Sequence, residues 1–233
     1  MRQLPLSVHL PDHAVFESFH AGANAACVEH LRRLAVTSGP PGAYVWGSRA
    51  SGKTHLLYAL CASADANQRR AAYLPLARAA ECGRAALLEG WETCDVVCVD
   101  DLQAVAGQGD WERSLFELFN RLHDGGGAFV VTADRPPRAL PLELPDLRSR
   151  LLWGGAFALQ PLPDEDRLAA LRLRASHRGL ELPEEVGSYL LKRAPRDMSS
   201  LYQLLDSLDR EALAAQRYLT VPFVRKILGA PSA

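Results

Sequence analysis

The stretch GSRASGKT, residues 47–54, satisfies the pattern GxxxxGK[ST] in full. Gly47 and Gly52 let the backbone curl, so that N–H groups along Ser48, Arg49, Ala50 and Ser51 can face an anion. Lys53 has the reach to meet the outer phosphates of a nucleotide, and the Thr54 hydroxyl can ligate Mg2+. A chance glycine-rich turn is the ordinary alternative. Here an apolar run, Ala43-Tyr-Val-Trp46, precedes the loop and a helical pattern of Leu56, Leu57 and Leu60 follows it. That context is the one a phosphate-binding loop requires, with ADP or ATP as the ligand.

VVCVDD, residues 96–101, is the matching second half. Asp100, at the carboxyl end of an apolar run, is placed to hold Mg2+ opposite Thr54, and Asp101 to polarise an attacking water. Alone, two adjacent carboxylates after a strand are often a solvated turn. VVTADRPP, residues 130–137, ends another apolar run and offers Thr132 and Asp134 as polar groups that could sense a terminal phosphate. PDLRSRLLWG, residues 145–154, carries Arg148 and Arg150 on a short helical pattern. Spacing alone makes that pair a solvated face.

These residues need a frame. Five short apolar runs, at 43–46, 71–76, 95–99, 128–132 and 156–159, alternate with helical periodicity such as Trp111, Leu115, Leu118, Phe119 and Leu122. The alternation predicts an α/β core, a parallel sheet flanked by helices, over residues 15–160. Strands stop at QPLPDED, residues 160–166, and residues 161–233 read as a small all-α domain. Its clearest helix carries Leu201, Leu204, Leu205, Leu208 and Ala212 on one stripe, with a short helix over VPFVRKIL at the end. Residues 1–14 read as a flexible N-terminal segment.

Composition narrows the function. Among 233 residues there are 26 basic and 27 acidic side chains, a net charge of −1, so strong direct DNA binding by this chain is not expected. No run approaches the roughly 20 apolar residues of a membrane span, and no secretory pattern opens the chain. Five cysteines in an odd number, without metal-type pairing, suit reduced thiols and a cytoplasmic protein, with Cys94 and Cys98 expected in the interior.

Taken together, the loop, the DD ending, TADRPP and LRSRLLWG resemble the AAA+ ATPase core of the bacterial replication initiator DnaA, and VFESFHAGANAA (15–26) resembles the segment that lines its adenine pocket. The likeness runs from about residue 15 to residue 228, with the motifs in the family's order. The sequence has no counterpart of the initiator's C-terminal DNA reader. In place of its long N-terminal region stands RQLPLSV, where Gln3, Leu4 and Leu6 resemble peptides that bind the DNA polymerase sliding clamp. The arrangement is thus similar to the Hda branch, regulatory inactivators homologous to DnaA.

That resemblance implies a negative regulator of replication initiation, with the sliding clamp and DnaA as partners. It would stimulate hydrolysis of the initiator's ATP through an arginine finger in trans, Arg150 by motif match. Its own ATPase activity would be weak, since Asp101 is shorter than the Glu many related ATPases use. One departure falls in PRDMSSLYQLLDSLD (195–209): Ser199 stands where the family places a phosphate-contacting arginine, and Arg196 is the nearest substitute. An autonomous P-loop ATPase or kinase, and a helicase-loader adaptor, remain the rival readings. Self-association through the chain's own AAA+ faces stays open.

Overall fold

The computed structural model describes residues 14–38, 41–82, 88, 90–193 and 197–229. Gln3, Leu4, Leu6 and Arg196 lie outside the described residues. The described residues form two compact units, one from those within 14–16 and 24–160, the other from those within 17–23 and 161–229.

In the first unit, the apolar runs form β1 (Gly42–Trp46), β2 (Ala71–Pro75), β3 (Val96–Asp100), β4 (Ala128–Ala133) and β5 (Ala156–Ala158). All pair in parallel, in the order β2-β3-β4-β1-β5. Every residue of β3 and β4 is buried, as expected of central strands covered on both faces. Helices α1 (Ala25–Val36), α2 (Lys53–Ala66), α3 (Leu76–Glu81), α4 (Gly109–Asp124) and α5 (Pro145–Leu151) surround the sheet's sequence positions. The α4 stripe of Trp111, Leu115, Leu118, Phe119 and Leu122 is buried in the same core as Val97, Val99, Phe129 and Val131. Its charges suit the helix dipole, with Asp110 and Glu112 in the first turn and Arg121 and His123 in the last.

The sheet order decides where the motifs meet. β4 lies between β1 and β3, and register pairs Val45 with Thr132 and Val99 with Val131. The carboxyl ends of three strands therefore stand side by side, and the loop at 47–54, Asp100 and Thr132 all leave the sheet at one edge. Parallel α/β sheets present their ligand crevices at this edge.

α5 begins with Pro145, whose fixed φ suits the first helical position, and it buries Leu147 and Leu151. The turn after it runs against the opposite end of β1. A Cβ at Gly154 would overlap the backbone of Gly42, whose own carbonyl also meets His30 Nε2 at 3.0 Å. Only glycine permits that approach.

The second unit contains α6 (Asp164–His177), α7 (Glu184–Arg193), α8 (Met198–Ala215) and α9 (Val221–Gly229). Leu171, Ala175, Val186, Leu190, Leu201, Leu205, Leu208 and Val224 make its core, with Leu204 half-buried at the edge of the α8 stripe. Asp197 caps α8 by accepting from the Ser200 N–H at 2.9 Å. Arg174 is buried over the Tyr202 ring, and Asp206 receives Arg178 at 2.6 Å and Arg174 at 3.7 Å. The segment Glu17–Ala23 joins this unit partly through His20, 3.2 Å from Asp166. None of the helices among the described residues is long and apolar enough to cross a membrane.

Gly154→Ala should destabilise the first unit by about 1–3 kcal/mol, the usual cost of forcing a methyl into packed backbone. A urea unfolding series reads this as a lower midpoint at unchanged slope.

Candidate functional site

The loop at 47–54 is positioned at both ends. The Gly47 N–H donates to the Ala133 carbonyl at 3.2 Å, tying the loop's start to β4. Gly52 precedes α2 with φ of 95°, a left-handed conformation that favours glycine. Among the described residues, the N–H groups of Gly52, Lys53 and Thr54 make no backbone hydrogen bond outside the helix ladder. They are the free donors that an anion at a helix start can take. Ser51 Oγ is enclosed yet has no hydrogen-bond partner among the described residues. Ser48 and Arg49 are exposed, and Ala50 takes a left-handed φ of 61°.

Lys53 is buried and its Nζ donates to the carbonyls of Gly47 and Ser48, each at 2.8 Å. Burial pushes its pKa down, and the charges of Asp101, Asp100 and Asp134 push back. One ammonium thus feels the charges of three carboxyl groups.

Asp100 is the hub. Thr54 Oγ1 donates to Oδ2 at 2.7 Å, the Tyr73 hydroxyl donates to the same oxygen at 2.8 Å, and the Thr132 hydroxyl donates to Oδ1. Burial, then the charge of Asp100, raises the Tyr73 pKa, so that hydroxyl stays a donor. The Tyr58 ring packs on Tyr73 with centroids 4.5 Å apart. With its proton committed to Asp100, the Thr54 hydroxyl keeps lone pairs free for a hard cation. The described residues include no group of three or more His, Cys, Asp or Glu that could hold a metal. One hydroxyl and one carboxylate suit Mg2+, which keeps waters and shares ligands with substrate phosphates rather than filling a protein cage. The residues therefore fit the nucleotide and the ion that the sequence suggested.

Thr132 is tied to both acidic residues that end β3 and follow it. It is fully buried, donates to Asp100 and accepts from the Asp101 N–H at 3.1 Å. Asp101 sits in a left-handed conformation, φ 60°, with Gln103 Nε2 donating to its Oδ1 at 2.8 Å. Asp134 is partly exposed and held by its neighbour Arg135 at 2.7 and 2.8 Å, which keeps its carboxyl below the usual range. The Asp134 N–H donates to Gln103 Oε1 at 3.1 Å, so Gln103 bridges the two acidic candidates.

The two arginines of α5 part company. Arg148 turns inward and donates to the carbonyls of Leu140 and Leu142 at 3.4 and 2.9 Å. Arg150 lies over the Trp153 ring at 3.9 Å from its centroid, and no ion pair to Arg150 occurs among the described residues. The segment leading into α5 is fixed by Glu112, wholly buried on α4. Its carboxyl oxygens accept the N–H groups of Gly107 at 2.8 Å, Glu143 at 3.2 Å and Leu144 at 2.7 Å.

Tyr73, Gln103, Glu112 and Trp153 were not among the candidates from sequence. Cys98 is buried as expected, whereas Cys94 is only half-buried. Thr132→Val should cost about 1–3 kcal/mol, because it strips a donor from buried Asp100 and an acceptor from the Asp101 amide. Chemical denaturation measures the loss, and Thr132→Ser should recover most of it.

Comparison with known proteins agrees with this geometry. Residues 10–158 match the family described as the bacterial DnaA ATPase domain, and residues 164–228 match the Hda lid domain. An uncharacterized protein of Haemophilus influenzae is 43% identical over 228 residues, covering 97% of this chain and 98% of its own. Domain III of the Thermotoga maritima replication initiation protein DnaA superposes with a TM-score of 0.79 at 23% identity, over 94% of this chain and 96% of that one. AMPPCP-bound DnaA from Aquifex aeolicus gives 0.66 at 23% identity, over 89% and 71%. With a DnaA-type ATPase core and an Hda-type lid in one sequence, the chain belongs to the DnaA-related AAA+ proteins of the Hda type.

Proposed function

We propose that this protein is a negative regulator of replication initiation that acts on the ATP held by DnaA. Its own loop, residues 47–54, binds ADP or ATP, with Lys53 at the phosphates and Thr54 and Asp100 holding Mg2+. Asp101 and Asp134 flank the outer phosphate, and their engagement by Gln103 and Arg135 favours slow hydrolysis by the isolated chain. Arg150 supplies the group that completes the partner's site.

One observation carries this reading. Of the two α5 arginines, Arg148 is consumed by the carbonyls of Leu140 and Leu142, while Arg150 has no carboxylate partner among the described residues. A guanidinium without a protein counter-ion is suited to an external anion. Set against charge developing on a γ-phosphate, such a group is worth about 10³–10⁵ in rate in related NTPases. At about 1.36 kcal/mol per tenfold, that is roughly 4–7 kcal/mol of barrier. The Hda-type lid and the match to DnaA make the initiator the natural partner.

The N-terminal residues Gln3, Leu4 and Leu6 would attach the protein to the sliding clamp on DNA, raising its concentration near DNA-bound initiator. An extended segment that offers leucines to a pocket and a glutamine to its rim orders on binding. The nucleotide on this chain would then be structural or regulatory.

The test follows radiolabelled ATP on purified DnaA, with this protein and DNA-loaded clamp added separately and together. Hydrolysis should require all components, and Arg150→Ala should abolish it while leaving clamp and nucleotide binding intact. Hydrolysis by this chain alone, with initiator-bound ATP unaffected, would make it an autonomous ATPase instead. Replacing Gln3 and Leu4 together by Ala should weaken clamp binding at least tenfold in surface plasmon resonance, with unfolding unchanged; unaltered affinity refutes the peptide assignment.

A further inference from the structure

Arg150 is a long side chain on the last turn of a short helix, and a mobile guanidinium would lose much of its catalytic advantage. The surroundings address that problem. The guanidinium carbon lies 3.9 Å from the centroid of the Trp153 ring, a close cation–π stack. Trp153 is itself held edge-on by two α4 residues: Phe119 at 6.0 Å and 82°, and His123 at 5.5 Å and 79°. Phe119 is buried and meets Phe129 of β4 edge-on at 5.7 Å. A continuous line of ring contacts therefore runs from the central sheet to the guanidinium.

The main chain that carries the ring is fixed as well. The Trp153 N–H donates to the Arg150 carbonyl at 3.1 Å, and Gly154 is pressed against Gly42 of β1. Yet Trp153 remains 49% exposed, a large apolar ring whose packing gains only part of what burial would give. Fold stability alone is a weak reason to keep an indole there. A flat π face under a cation is a specific one.

We propose that Trp153 is a positioning residue for Arg150: its ring holds the guanidinium in a preset direction so that it enters a partner's phosphate site without further ordering. This rests on the reading of Arg150 as the group that acts on DnaA-bound ATP. Misplacing a reacting group by about 1 Å can cost on the order of 10²-fold in rate, which sets the size of effect that a lost stack can have.

The experiment compares Trp153→Phe, Trp153→Leu and Arg150→Ala in the full chain, using initiator loaded with radiolabelled ATP and DNA-loaded clamp. Half-saturation by the regulator is separated from the maximal hydrolysis rate. Leucine keeps apolar bulk against Phe119 and His123 but has no π face, so Trp153→Leu should lower the maximal rate about tenfold or more, while Trp153→Phe retains most of it. In the Arg150→Ala background, Trp153→Leu should add no further loss. Proton NMR gives an independent signature: ring-current shifts on the Arg150 side chain should persist in Trp153→Phe and vanish in Trp153→Leu. A Trp153→Leu protein that stimulates at the wild-type rate, or faster, overturns the inference while Arg150→Ala remains inactive. Full stimulation by Arg150→Ala overturns the underlying reading, and the inference with it. Loss confined to half-saturation also overturns it, since that outcome makes Trp153 a docking contact.

Discussion

A single buried carboxyl group organises the candidate site. Asp100 takes a hydrogen bond from Thr54 of α2, from Tyr73 of β2 and from Thr132 of β4, so four elements are registered on one side chain. Thr132 is fully buried, so its hydroxyl left unmatched there would carry the full desolvation penalty. The phosphate loop inherits its position from this knot through Thr54. Asp101 inherits its unusual backbone conformation through the Thr132 hydroxyl.

Much of that frame was legible beforehand. Near-continuous apolar runs read as buried strands, and each of the five strands appears where the runs lie, although β5 is not buried and β2 is buried only at alternate residues. The sheet order was not legible, because parallel crossovers leave no mark on spacing. Tyr73 went unnoticed for this reason: within its apolar run it reads as core, and only the adjacency of β2 and β3 gives its hydroxyl a carboxylate to meet. Glu112 was hidden differently. It sits beside Trp111 on an amphipathic helix and looks like a solvated charge, until Gly107 and the returning residues 143 and 144 supply three backbone donors.

The α5 arginines show the limit of periodicity. Arg148 follows Leu147 and Arg150 precedes Leu151, both leucines buried, so each arginine is one step of about 100° from the apolar stripe on opposite sides. The pattern is symmetric, and nothing in it says which arginine turns inward. The loop at 140–142, which supplies carbonyls to one side only, breaks the tie. The resemblance to the initiator family pointed to Arg150 from motif order, and the geometry adds that Arg148 is the one bound to the neighbouring carbonyls.

The close approach of Gly154 to Gly42 bears on how the two ends of the sheet can communicate. Gly42 opens β1 and Trp46 closes it, so the turn beside Arg150 and the loop that meets phosphates hang on opposite ends of one five-residue strand. That strand is hydrogen-bonded on both sides, to β4 and β5. It acts as a strut of roughly 13–17 Å at about 3.3 Å per residue, able to transmit a push along its axis but little bending. The spacing between the loop at 47–54 and the turn that carries Gly154 is thus set by the length of one strand.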